Sequence, residues 1–224
     1  MNIVIPLFEN FELLDVTGPI EVLGYMKPTP NIILVADETV TATPGGVQIV
    51  PMSNFADCPQ ADVLLVPGGS GQVQMMQNTE YINFLKHQAT EAKYVTSVCV
   101  GSLLLAAAGL LDGYIATTHW DSQSILNLFP EVTLAGGYPP YVICGNRVTS
   151  GGVSCGIDMA LALVSILKGD HEAKKVQLIT EYQPDPPFHC GKPNTAAPSV
   201  MGAAALMVND LREKRYLQVR RMLE

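Results

Sequence analysis

Short apolar runs alternate with amphipathic stretches along most of the chain. Residues 2–7 form a mainly apolar run of the kind buried on both faces of a parallel sheet. Residues 32–36, 62–66, 94–98 and 114–117 repeat it, with β-branched residues prominent. Between them lie helical patterns at 79–92, 101–111, about 121–128, about 156–167 and about 199–223. Gly18-Pro19 reads as a helix opening, since Gly can cap and Pro suits the first helical position. Residues 39–51 read as a hairpin turning at Pro44-Gly45-Gly46, and 132–149 as a second hairpin. The proline-rich segment 182–198 reads as a loop. Strands alternating with helices predict an α/β domain with a mainly parallel sheet, one domain over residues 1–224.

Composition narrows the function classes. Apolar residues make up 48% of the chain and charged residues 15%, enough to build a full core. The net charge is −8, and Lys and Arg concentrate only near the C-terminus, at Arg212, Lys214, Arg215, Arg220 and Arg221. Nucleic-acid binding needs a concentrated basic face, so no nucleic-acid partner is expected. The basic tail alternates with apolar residues and reads as a solvated helix face. The apolar start is too short to span a bilayer and lacks a basic leader, which predicts a cytoplasmic protein without membrane contact. Cysteines stand at 58, 99, 144, 155 and 190, an odd number without zinc spacing. Free thiols and no metal site are expected.

Cys99 stands out among them. It falls between the strand ending at Val98 and the helix starting near Gly101, with small residues Ser97, Gly101 and Ser102 around it. That context suits a nucleophile elbow, and the unpaired N–H groups of a helix start favour a thiolate. The other four cysteines lack this context and read as structural. Asp15 follows the first strand, so it falls on the same sheet edge as Cys99. A carboxyl beside a thiolate tends to keep its proton and can then serve as a general acid. Pro67-Gly68-Gly69-Ser70-Gly71 follows a third strand, and its backbone N–H groups suit a developing anion. His119 follows another strand and reads as a pocket wall; Ser150-Gly151-Gly152 reads as a close-packed turn flooring the pocket.

Together these residues resemble the ThiJ/PfpI superfamily, whose core is like that of class I glutamine amidotransferases. The likeness runs through Leu14-Asp15-Val16-Thr17-Gly18-Pro19, the 67–71 loop and Thr96-Ser97-Val98-Cys99-Val100-Gly101-Ser102. It continues through Ala116-Thr117-Thr118-His119-Trp120 and the loop 181–188. The proline-rich loop resembles the branch that hydrates isocyanides. The resemblance implies a flavodoxin-like three-layer sandwich, a homodimer, no metal and no organic cofactor. It implies Cys99 as nucleophile, Asp15 as acid, and the N–H groups of Gly69 and Val100 as orienting groups, with His119 and Gly152 in the pocket. The implied reaction hydrates an isocyanide, a small and mainly apolar substrate, through a thioimidate on Cys99. That branch has Thr directly after the nucleophile, where this chain has Val100. Other thiol chemistry on the same scaffold, amide hydrolysis or carbonyl detoxification, is the rival expectation. A ligand- or redox-sensing module is another, although no helix-turn-helix region is expected after the last helix.

Overall fold

The computed structural model describes residues 1–224. In chain order the elements are β1 (Asn2–Pro6), β2 (Phe11–Glu12), α1 (Leu13–Gly24), β3 (Asn31–Val35), β4 (Val40–Thr43) and β5 (Val47–Ile49). Then come β6 (Val63–Val66), α2 (Gln72–Met75), α3 (Thr79–Ala89), β7 (Tyr94–Ser97), α4 (Gly101–Ala107) and β8 (Ile115–Ala116). A 3₁₀ turn (Trp120–Ser122), α5 (Gln123–Leu126), β9 (Thr133–Leu134), β10 (Tyr141–Cys144) and β11 (Arg147–Ser150) follow. The chain ends with α6 (Cys155–Lys168), α7 (Asp170–Ile179) and α8 (Pro198–Leu223).

The central sheet has the order β10-β11-β7-β6-β1-β3. Every neighbouring pair is parallel except β10 with β11. Strands β1 and β6 are buried along nearly their whole length, as continuous apolar runs require when helices cover both faces. Helices α1, α6 and α7 pack on one another, and α2, α3, α4, α5 and α8 form a second group. The result is the α/β sandwich with a mainly parallel sheet that the alternation predicts. Each fully buried Leu or Val of the core contributes about 1.5–3 kcal/mol by leaving water. No helix is long and apolar enough to cross a membrane.

The order of strands places the chemistry. From β1 the sheet grows one way to β3 and the other way through β6 to β7. The chain leaving β1, β6 and β7 therefore meets at one edge, at a switch point where open α/β sheets bind ligands. Asp15, the 67–71 loop and Cys99 all follow these three strands.

Several local expectations are corrected. Helix α1 begins at Leu13, so Gly18 and Pro19 lie inside it and Asp15 sits in its first turn. Gly18 faces α6 rather than capping: a Cβ there would stand 3.0 Å from Ile157 Cγ1. The helix after Cys99 is shorter than its pattern and stops before Gly109, whose φ is +71°. The second hairpin is confined to β10 and β11, and β9 instead pairs in parallel with β8. Helix α7 lies where no element was expected. The basic tail does not form a wholly solvated face, because Arg215 is buried.

Candidate active site

Cys99 lies between β7 and α4 with φ +55°, a left-handed conformation unusual for any residue but Gly. Holding it there costs about 1–3 kcal/mol, so the surroundings must fix it. They do so through its own backbone: its N–H donates to the Gly151 carbonyl at 3.0 Å, and its carbonyl accepts from Ser102 Oγ and Thr118 Oγ1, both at 3.1 Å. Gly101 lets the turn close, since a Cβ there would fall 2.2 Å from the Val66 carbonyl oxygen. This is a tight strand-to-helix turn with the thiol at its apex.

Asp15 is fully buried, and its Oδ2 accepts from the Gly68 N–H at 2.8 Å. Its Oδ1 has no hydrogen-bond partner. Gly68 separates Asp15 from the elbow. A Cβ on it would stand 2.8 Å from the Val100 nitrogen and 3.0 Å from Asp15 Oδ2. Next to it Gly69 has φ +124°, and a Cβ there would collide with the backbone of Asn10, Phe11 and Glu12. Only glycine fits that position. The Gly69 N–H makes no bond to a backbone carbonyl.

Burial holds Asp15 well above the usual carboxylate range, with Glu12 adding to the rise and the Gly68 N–H opposing it. Burial therefore favours the protonated form of this carboxyl. Burial also pushes the Cys99 thiol well up, and Asp15 acts in the same direction. Arg215 and the Val100 N–H pull it down. A helix start alone would lower this thiol; desolvation outweighs it here. The two groups form a coupled pair that carries less charge than two free acids would.

Beside the elbow lies a cavity of ≈ 270 Å³. Thr118, His119, Gln123, Gly152, Ser154 and Lys192 are among the residues lining it. Trp120, Tyr138, Pro139 and Val153 join these polar and small residues, so the cavity is of mixed character. His119 packs against Gly152, where a Cβ would stand 2.0 Å from the ring. Its Nδ1 bonds Asp121 Oδ1 at 2.8 Å. Cys155 lines the same cavity, so one cysteine read as structural belongs to the site's wall. Burial raises its thiol, and Lys192 lowers it. No group of three or more His, Cys, Asp or Glu side chains is arranged to hold a metal ion.

Three residues of the site carry no motif. Arg215, on α8, donates from Nη1 to Asp121 Oδ2 at 3.0 Å and from Nε to Gln72 Oε1 at 3.2 Å. Asp121 and Gln72 are buried with it. Burial alone would raise the Asp121 carboxyl, yet His119, Arg215 and Ser122 together hold it below its usual range. A signal for Arg215 does exist: it shares a helical stripe with Leu211, Gln218 and Val219, at spacings of four, three and four.

The DJ-1/PfpI family profile matches residues 1–166, most of the chain and every residue of the elbow region. The chain belongs to the DJ-1/PfpI family. An isonitrile hydratase from Pseudomonas putida is 43% identical over 199 residues, covering 88% of this chain and 86% of that protein. The HTH-type transcriptional regulator GbdR of Pseudomonas aeruginosa is 32% identical over 165 residues, but those make up only 44% of the regulator. The crystal structure of a ThiJ/PfpI family protein from Pseudomonas syringae superposes with a TM-score of 0.91 at 35% identity, over 97% of this chain and 90% of that one. Drosophila melanogaster DJ-1beta, at 20% identity and a TM-score of 0.71, shares the DJ-1/PfpI fold.

Proposed function

We propose that this DJ-1/PfpI protein hydrates isocyanides, R–N≡C, to N-substituted formamides through Cys99. The observation that carries the reading is a positive-φ cysteine beside a fully buried carboxyl, whose burial favours its protonated form. The similarity to an isonitrile hydratase supports the substrate class.

The reaction starts from the form in which the pair holds one proton, on Asp15, and the Cys99 thiolate of that form attacks the terminal carbon, forming a C–S bond. The electron pair that develops on that carbon takes the proton of Asp15, which gives a thioimidate, Cys99–S–CH=N–R. The Asp15 carboxylate then removes a proton from water as the oxygen adds to the same carbon. The hydroxyl proton of that adduct passes to nitrogen as the C–S bond breaks. Formamide leaves, and the thiolate and the protonated Asp15 are restored. Because Asp15 starts protonated, its own charge does not oppose the attacking thiolate. The N–H groups of Gly69 and Val100 orient the attacked group or the water, and His119 and Gly152 wall the space for R. The reading takes residues 1–224 as one catalytic domain that uses no metal or organic cofactor and no nucleic acid. It includes a cytoplasmic homodimer, for which exposed apolar side chains such as Leu206 and Met207 offer surface to cover.

The test is turnover of an isocyanide, a methylglyoxal-like carbonyl and an amide in parallel, with formamide read by mass. The wild type is expected to turn over the isocyanide, and Cys99→Ala to lose at least about a thousandfold while keeping its circular dichroism. Turnover of the carbonyl or the amide alone would replace this reading with another thiol reaction. Binding without turnover of any of the three would favour a sensing role of the kind named for GbdR.

A further inference from the structure

Cations are scarce in this chain, yet one of them is withdrawn almost completely from water. Arg215 is 4% exposed and sits in the middle of α8, beyond the residues that the family profile covers. A buried guanidinium is costly unless its donors are met. Here they are met by groups from two other parts of the fold. Nε bonds Gln72 Oε1, in the residue directly after the 67–71 loop. Nη1 bonds Asp121 Oδ2 at 3.0 Å and lies 3.3 Å from Ser122 Oγ. Asp121 in turn holds His119 through its other oxygen, which also accepts from Ser122 Oγ. One turn along α8, Gln218 accepts from Gln77, just past α2. Both polar side chains on the buried stripe of α8 therefore grip segments that adjoin the site.

We propose that Arg215 is a positioning residue for the Cys99 site, tying the glycine loop to the His119 segment from a helix outside the family core. The loop carries Gly68, which lies against the backbone nitrogen of Val100, and the His119 segment carries Thr118, which bonds the Cys99 carbonyl. Arg215 spans the two. A planar, forked guanidinium reaches two acceptors at fixed angles, which a lysine ammonium does not reproduce. The same cation supplies positive charge near the sulfur. The charged groups acting on Cys99 are Asp15 from α1, Asp121 from the 3₁₀ turn and Arg215 from α8, with His119 beside Asp121. Asp121, and Asp15 when ionised, oppose a thiolate, and Arg215 favours it. Its pull exceeds the push of Asp121.

The test uses the full-length protein and does not depend on which substrate is right. The rate of Cys99 alkylation by iodoacetamide is followed against pH, with labelling at Cys99 read by peptide mapping. Arg215→Met is expected to move the midpoint upward and to slow labelling near neutral pH by roughly tenfold. Because that variant strands a buried carboxylate, Arg215→Met is also combined with Asp121→Asn, which removes both charges. The double variant is expected to fold and to shift in the same direction by a smaller amount. Arg215→Lys keeps the charge, so its midpoint should stay near that of the wild type while turnover falls for want of the second tie. A folded double variant with the wild-type midpoint, or an Arg215→Lys protein with full turnover, would overturn the proposal and leave Arg215 a structural residue. Failure of isocyanide turnover in the wild type would leave the alkylation result standing.

Discussion

Residues 1–166 and the segment that follows them are held to the molecule by different means. The first region buries long apolar runs, with Ile3, Val4, Ile5, Leu64, Leu65 and Val95 among many side chains wholly out of water. In the segment beyond, only Val176, Arg215, Gln218 and Val219 are buried, while Leu178, Phe188, Leu206 and Met207 stand 74–88% exposed. Half of its buried side chains are polar, and each is bonded to a residue next to the site. Apolar burial is spread over many contacts, so it tolerates change by degrees. A polar anchor depends on one partner, so its loss is local and abrupt. The contrast predicts that function in the first region follows the few polar groups at the sheet edge, and that most of α8 is neutral apart from its two grips.

The largest effect expected from this contrast lies at Asp15. Asp15→Asn keeps an acceptor for the Gly68 N–H but cannot deliver a proton, so turnover should fall by about 10²–10⁴-fold with the fold intact. Its stability should carry a pH signature. The folded-state pKa of Asp15 lies above its unfolded value, so between the two the folded state binds more protons. Wild-type stability therefore falls as pH rises through that window, and Asn removes the slope. The melting temperature of Asp15→Asn relative to wild type should climb as pH is raised from about 4 toward 8. Parallel melting curves would show that Asp15 is not the protonated acid of the site.

A smaller effect is expected at Val100. Its side chain is fully buried beside Gly68, close to a carboxyl whose Oδ1 has no partner. Val100→Thr puts a hydroxyl there, and a hydrogen bond to a charged or reacting group is worth about 1.5–3 kcal/mol. If that bond forms in the transition state, isocyanide turnover should rise by roughly ten- to a hundredfold, without a matching gain on a carbonyl or an amide. An unchanged or slower rate would show that the site works without that hydroxyl.

The smallest effect is expected at Leu206, and it is read through stability against a core position of the first region. Leu64→Ala, in β6, should cost about 2–5 kcal/mol through lost burial and the cavity left behind. Leu206→Ala, on the open face of α8, should stay within about 0.5 kcal/mol and leave turnover unchanged. Denaturant midpoints at matched slopes check both. A large cost at Leu206 would mean that this face is covered in solution, as the proposed homodimer allows.

Some of this was written locally in the chain. The strands at 2–7, 32–36, 62–66 and 94–98 show as short apolar runs, because burial on both faces of a sheet leaves a continuous signature. The hairpin at Pro44-Gly45-Gly46 and the elbow at Cys99 show for a similar reason: small residues and glycines mark places where the backbone must turn tightly. What depended on distant partners did not show. Helix α1 runs through Gly18 and Pro19 because Gly18 packs on Ile157 of α6, and no nearby residue reports that. Burial by the fold raises the Asp15 pKa, and its sequence neighbours carry no trace of that burial. Arg215 looks like one more solvated charge in a basic tail until folding brings Asp121 and Gln72 against it. Local sequence sets backbone preference and apolar periodicity. Only the assembled structure sets desolvation and the pairing of charges, since both depend on which groups the chain brings together across long separations.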